Sequence, residues 1–170
     1  ISSPSARTPF HIDRLNNLFL QCRGKKRVTV WDPDDRSAVT EEGIEGWVVY
    51  NTLEHLKYRA NMDQTAAFNQ SIMTGQGVYI PSTAGHMTHT PEDPENSNGE
   101  FSISVSINYF SRKTRLEANV YLINAQLRKL SKKPLPPHKS KIVDLAKFFW
   151  SQVFLYYRRI FKKVYRPDGF

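Results

Sequence analysis

The stretch PFHIDRLNNLFLQCRGKK, Pro9 to Lys26, decides how the chain is read. Residues i and i+2 of a β-strand point to the same side, so a strand here would present the His11 imidazole and the Asp13 carboxylate to one point in space. Downstream, KRVTVW reads as a further strand on which Lys26, Val28 and Val30 share a face. A lysine on an apolar face is costly to bury unless it meets an anion. Two registers compete: either Lys26 points inward toward such an anion, or it faces solvent and Lys25 turns inward.

Leu18 to Trp31 reads as a hairpin, with strand LFLQC, a turn at RG and strand KRVTVW. The polar run DPDDRSAVTEEG leads toward a short helix, and residues 43–69 carry aromatics with no clean period. A second β region follows. GQGVYIPSTAGH (75–86) ends at His86, a polar loop spans Thr90–Gly99, and FSISVSINYF (101–110) alternates strictly. Phe101, Ile103, Val105, Ile107 and Tyr109 fall on the side expected to pack. Ser102, Ser104, Ser106 and Asn108 fall on the side that would line a polar barrel interior.

Beyond Ser111 the period becomes helical. Leu116, Val120, Ile123, Leu127 and Leu130 make one stripe, with Thr114 and Glu117 spaced as a capping box. After KKPLPPHK a second helix is expected from Lys141 to about Tyr165. Val143, Ala146, Phe149, Trp150, Val153, Tyr157, Ile160, Phe161 and Val164 give it a broad apolar surface, for which packing against the rest of the protein is the expectation, with a dimer interface or an anionic membrane surface as the alternatives. The resulting division is a β core at 1–112 and a helical extension at 113–170.

Composition bounds the function. The 170 residues include 21 aromatics and are 39% hydrophobic and 24% charged, which is enough to fold one domain with a sizeable core. The single cysteine, Cys22, excludes an internal disulfide framework and a multi-cysteine zinc site; it fits a small packing residue in a reducing, cytoplasmic setting. No apolar run reaches 18 residues and no leader pattern is visible. The net charge of +8 reads either as a solvated basic face or as attraction to nucleic acid or another anionic surface.

Two histidines and one carboxylate on a single metal face leave positions open for small ligands, the arrangement of non-haem Fe(II) oxygenases. H-x-D alone is more often a surface pair than a ligand pair. The whole pattern, however, resembles the JmjC/cupin-like 2-oxoglutarate dioxygenases, in particular the asparaginyl hydroxylases and small bacterial JmjC-like proteins. The residues that carry the resemblance are His11, Asp13, Asn17, Phe19, Gly24 and Lys26 in HIDRLNNLFLQCRGKKR, His86 in YIPSTAGH and Asn108 in SISVSINYF. It covers about Thr8 to Phe110.

The resemblance implies a mainly β, cupin or jelly-roll (double-stranded β-helix) barrel followed by C-terminal helices, with the family's N-terminal barrel strands lacking a counterpart in these residues. It implies metal ligands His11, Asp13 and His86, and cosubstrate contacts at Lys26, Thr8, Asn17 and Asn108, with Fe(II), 2-oxoglutarate and O2 as reactants. The implied activity is hydroxylation of a protein side chain or a small molecule, with pairing of two copies through the C-terminal helices. One departure is Gln76, where the family's Gly-Asp turn carries an acidic residue. The rival readings are a cupin-like binding or regulatory module without turnover, and a basic nucleic-acid-binding protein. His55, His89 and His138 are expected to be solvated.

Overall fold

The structure, a computed structural model, describes residues 1–92 and 101–161. Most of the expected Thr90–Gly99 loop, and the last helix beyond Phe161, lie outside the described residues. The chain divides into two compact units, Ile1–Ile44 with Leu53–Tyr109, and Glu45–Thr52 with Phe110–Phe170.

The first unit is built from seven strands: β1 (Arg7–His11), β2 (Asn16–Arg23), β3 (Lys25–Val30), β4 (Phe68–Met73), β5 (Gly77–Ile80), β6 (His86–His89) and β7 (Ile103–Tyr109). They form two antiparallel sheets, ordered β1-β6-β3-β4 and β5-β2-β7. Neighbours in each sheet are distant in sequence, the pattern of a double-sheet jelly roll, here with four strands and three. Mainly β with C-terminal helices is thus the architecture. Val28, Val30 and Ile72 of the larger sheet meet Ile80, Phe19 and Val78 of the smaller one to form the core. Beside it, fully buried Trp31 donates its indole N–H to the Met62 carbonyl at 2.8 Å and meets the Phe10 ring edge-on.

β2 and β3 are not a hairpin. They pair with different sheets, and the one residue between them, Gly24, has φ of 73°. A two-stranded hairpin needs a loop of at least two residues, whereas a one-residue corner with a left-handed φ redirects the chain from one sheet to the other. A Cβ at Gly24 would meet nothing closer than 3.5 Å, so its requirement is conformational, not steric. Gly24→Ala is therefore expected to cost about 1 kcal/mol, read as a drop of ~2–4 °C in the thermal midpoint.

The apolar side of β7 does not pack as expected: Val105, Ile107 and Tyr109 lie exposed on the outer face of the three-stranded sheet, across from Leu18 and Leu20 of β2. On the inner side Ser102 is buried, and its hydroxyl accepts a hydrogen bond from the Gln21 side chain at 2.8 Å. Ser104 in turn donates to Gln21 at 2.7 Å. Serines on that strand satisfy a buried glutamine, which explains how a polar side can face inward. Cys22 is exposed, contrary to the packing role expected of it.

α1 (Glu41–Tyr50) begins where the polar run led, and β4 starts at the end of the stretch without a period and runs on through residues to which the sequence assigned no element. In the second unit α2 (Arg112–Lys129) starts one turn earlier than expected: its cap is Ser111, whose hydroxyl accepts the Thr114 N–H at 3.1 Å, and not Thr114. Val120 of the expected stripe is buried while Leu130 is exposed.

α3 (Lys141–Phe161) is turned opposite to expectation. Its buried stripe is Asp144, Lys147 and Ser151, while Val143, Phe154 and Leu155 are half-buried and most of its other apolar residues are exposed. Hydrogen bonds make this polar packing affordable. Ser151 donates to the Asn119 side chain of α2 at 2.7 Å, Lys147 to the Leu135 carbonyl at 2.6 Å, and the His138 N–H to Asp144 at 2.8 Å. Among the described residues, no helix is long and apolar enough to cross a membrane.

Candidate metal centre

His11 closes β1 and His86 opens β6, and the two are register partners across the β1–β6 ladder. Asp13 lies beyond the end of β1, so the two-residue strand alternation that suggested the pair is not what aims its carboxylate. A turn does so instead. Ile12 is fully buried, the Asp13 carbonyl accepts the Thr83 N–H at 2.8 Å, and the Ser82 hydroxyl donates to the Arg14 carbonyl at 3.0 Å. These bonds lace the segment after β1 to the segment before β6. As a result one ligand atom each from His11, Asp13 and His86 lies within 4.8 Å of the others.

Both rings are oriented from behind. Nδ1 of His11 is 2.8 Å from the Pro9 carbonyl, and Nδ1 of His86 is 3.0 Å from the Ala84 carbonyl. A carbonyl only accepts, so each Nδ1 carries the proton and each neutral ring turns an Nε2 lone pair toward the other donors. For His86, that lone pair faces Asp13 Oδ2 at 3.5 Å. Two acceptors opposed at this distance need a cation between them, or a second proton that makes the ring an imidazolium. The donor set, two imidazoles and one carboxylate with the remaining directions open, fits a borderline divalent metal.

The electrostatics agree. Burial first, and then the neighbouring His86, hold the His11 ring below the ordinary histidine value. When the rings take up a second proton, a hydrogen bond from His86 and then the charges of the two rings lower the Asp13 carboxyl below the usual carboxylate range against its burial. A ring that resists protonation keeps its lone pair for a metal. Metal affinity is therefore expected to be nearly flat above about pH 6.5 and to fall as acidification protonates His11, checked by titrating Mn(II) at stepped pH.

Lys26 is the inward residue: it is 6% exposed, while Lys25 is exposed. Its Nζ donates to Thr90 Oγ1 at 2.8 Å and to Ser2 Oγ, and these two hydroxyls are 2.9 Å apart. No carboxylate among the described residues pairs with it. Burial lowers its pKa. His86 and Thr88 of β6, with Thr90 just beyond it, alternate on the side shared with Val30, Val28 and Lys26, so the metal donors and the ammonium arise from one inner sheet face, their backbone positions four residues, about 13 Å, apart along the strand.

Thr8 is exposed and register partner to Thr88, between those two rows. Asn17 is buried at 5% exposure. Its amide donates to Ser106 at 3.4 Å, and its Oδ1 is buried with no partner among the described residues. Asn108 is its register partner on β7 and is exposed. His89 points to the opposite side of β6 from His86. His55 is exposed, and His138 pairs with Glu117. Ser2, Ser82, Thr83 and Thr90 were missed from sequence. Thr90 alone carried a signal, its even spacing from His86. The turn containing Gln76 is held by that residue's side chain, which accepts the Met73 N–H at 2.8 Å.

No family model matches the chain, and no curated protein matches it. Among solved structures it is similar to the Escherichia coli ribosomal oxygenase YcfD in complex with cobalt and 2-oxoglutarate, with 15% identity over 89% of this chain and 36% of that one and a TM-score of 0.40. Another YcfD structure has 16% identity, 91% and 38% coverage and a TM-score of 0.44. An oxalate decarboxylase variant from Bacillus subtilis has 16% identity, 78% and 29% coverage and a TM-score of 0.38. The chain spans under two fifths of the length of each of these structures.

Proposed function

We propose that the β unit is the metal- and cosubstrate-binding part of an Fe(II)- and 2-oxoglutarate-dependent oxygenase that hydroxylates a protein side chain or a small molecule. The observation that carries this reading is the presence, on one inner sheet face, of a His11–Asp13–His86 donor set and a buried ammonium whose partners among the described residues are hydroxyls. His11, Asp13 and His86 would hold the iron. When bound, the iron supplies activation of O2 coupled to oxidative decarboxylation of 2-oxoglutarate.

The chain's own residues do the positioning. Lys26 pairs with the far carboxylate, and the Ser2 and Thr90 hydroxyls flank it; among the described residues two of its three Nζ protons are engaged, which leaves the third for the carboxylate. The Asn17 Oδ1 offers an acceptor to a water molecule beside the cosubstrate. The apolar layer of Val28, Val30 and Ile80 keeps bulk water from the space between cation and metal, which strengthens the charge pairing.

The test is anaerobic titration with Fe(II) and 2-oxoglutarate, followed by the weak visible band of the complex, and then addition of O2 with measurement of succinate. Band and succinate together support the oxygenase. A band without succinate, whatever substrates are supplied, replaces it with the binding-module reading, and no band in folded protein removes the cosubstrate site.

A further inference from the structure

The charge of this chain is segregated. The β unit carries nine Lys and Arg against twelve Asp and Glu, net −3, whereas the helical unit carries fifteen against four, net +11. Within that basic unit α3 buries its polar stripe and exposes its apolar one. Ile142, Leu145, Phe149, Val153, Tyr156 and Ile160 recur at helical spacing along about 27 Å of surface, with Trp150 beside them. Ile142 is 82% exposed and Trp150 61%. The one acidic residue of the helix, Asp144, is on the buried side.

We propose that α3 is an interfacial helix that docks the protein on an anionic lipid surface. The face has the required composition: aliphatic side chains that need an apolar medium, aromatics with polar tips suited to the headgroup level, and basic Lys141 and Arg159 exposed on the same helix. The helix is held to its own unit by Asp144, Lys147 and Ser151, so its apolar stripe faces away from α2.

Charge selects this occupant over the others. A second copy would bring two units of net +11 together at low-dielectric contact, which opposes association, whereas an anionic leaflet attracts the basic groups near its surface. Nucleic acid matches the charge but offers no sink for Ile142, Leu145 and Val153.

The experiment is co-sedimentation of the full chain with vesicles of phosphatidylcholine alone and of phosphatidylcholine with a quarter phosphatidylglycerol, together with tryptophan emission. Trp31 is fully buried and Trp47 half-buried, so Trp150 is the reporter. Wild type is expected to bind the anionic vesicles at least about tenfold more tightly than the neutral ones, with a blue shift. Phe149→Ser is expected to weaken binding about tenfold and Arg159→Glu several-fold. Both positions are exposed, so folding is spared, and light scattering of each variant checks it.

Anionic binding with no blue shift and no effect of Phe149→Ser would overturn the proposal in favour of surface adsorption. No vesicle binding would also overturn it, assigning α3 to self-association where wild type scatters as a dimer, or to RNA where a duplex binds with a steep salt dependence.

Discussion

Metal affinity of His86→Ala is expected to fall by at least about a hundredfold relative to wild type, with the protein still folded. Loss of groups that merely orient a metal ligand already costs tenfold to a hundredfold. His86 is a stronger case because its Nε2 stands directly opposite Asp13 Oδ2 at 3.5 Å. Without the ring, two donors remain and the carboxylate loses its nearest counter-group. The measurement is thermal stabilisation by Mn(II) or Co(II), which tracks the ratio of metal concentration to dissociation constant. His11→Ala should behave alike, whereas His89→Ala, on the other side of β6, should leave the shift intact. Equal stabilisation of wild type and His86→Ala would remove the metal centre from the account.

Lys26→Met is expected to act in opposite directions on stability and binding. Lys26 is 6% exposed and among the described residues its ammonium has two hydroxyl partners and no carboxylate, so replacing it by an apolar chain of similar length relieves an incompletely compensated desolvation. A gain of about 1 kcal/mol follows, or ~2–4 °C in the thermal midpoint. Binding of 2-oxoglutarate should weaken by roughly two orders of magnitude, because its far carboxylate would be buried without a cation. The pH dependence has a definite sign. Burial lowers the Lys26 pKa in the folded state, so the unfolded chain binds that proton more tightly, and wild-type stability gains from this group as pH rises toward the ordinary lysine value near 10.4. Lys26→Met should lack that gain. A variant less stable than wild type that binds 2-oxoglutarate equally well would make Lys26 a purely structural residue.

His11, Asp13 and His86 could be picked out as candidates by residue type and, for the first two, by local spacing, and the structure brings the three together; the pattern left the register of Lys25 and Lys26 open, and the structure turns Lys26 inward. What failed was partnership between elements. Periodicity identifies LFLQC and KRVTV as strands, but it does not say that Gly24 sends them to different sheets; that depends on pairings of β2 with β7 and of β3 with β6, decided some eighty and sixty residues further on. The same limit applies to α3. A helical wheel shows an apolar and a polar stripe, and the usual inference buries the apolar one. Here Asn119 and the Leu135 carbonyl supply the partners that let the polar stripe pack, and neither belongs to α3. β7 errs likewise, because Gln21 needed its serines.

The ladder between β1 and β6 joins Arg7 to His89 and His11 to His86. Pairings of such long sequence separation form late, after loop-closure entropy has been met, and chains dominated by them fold in milliseconds to seconds. Asp13 and His86 are thus strangers until the last strands come together, and no partly paired chain can offer all three donors at once. The metal would then recognise only the finished fold. It would leave the folding rate almost untouched while slowing unfolding, so the site would act as a latch that closes after the chain has found its topology.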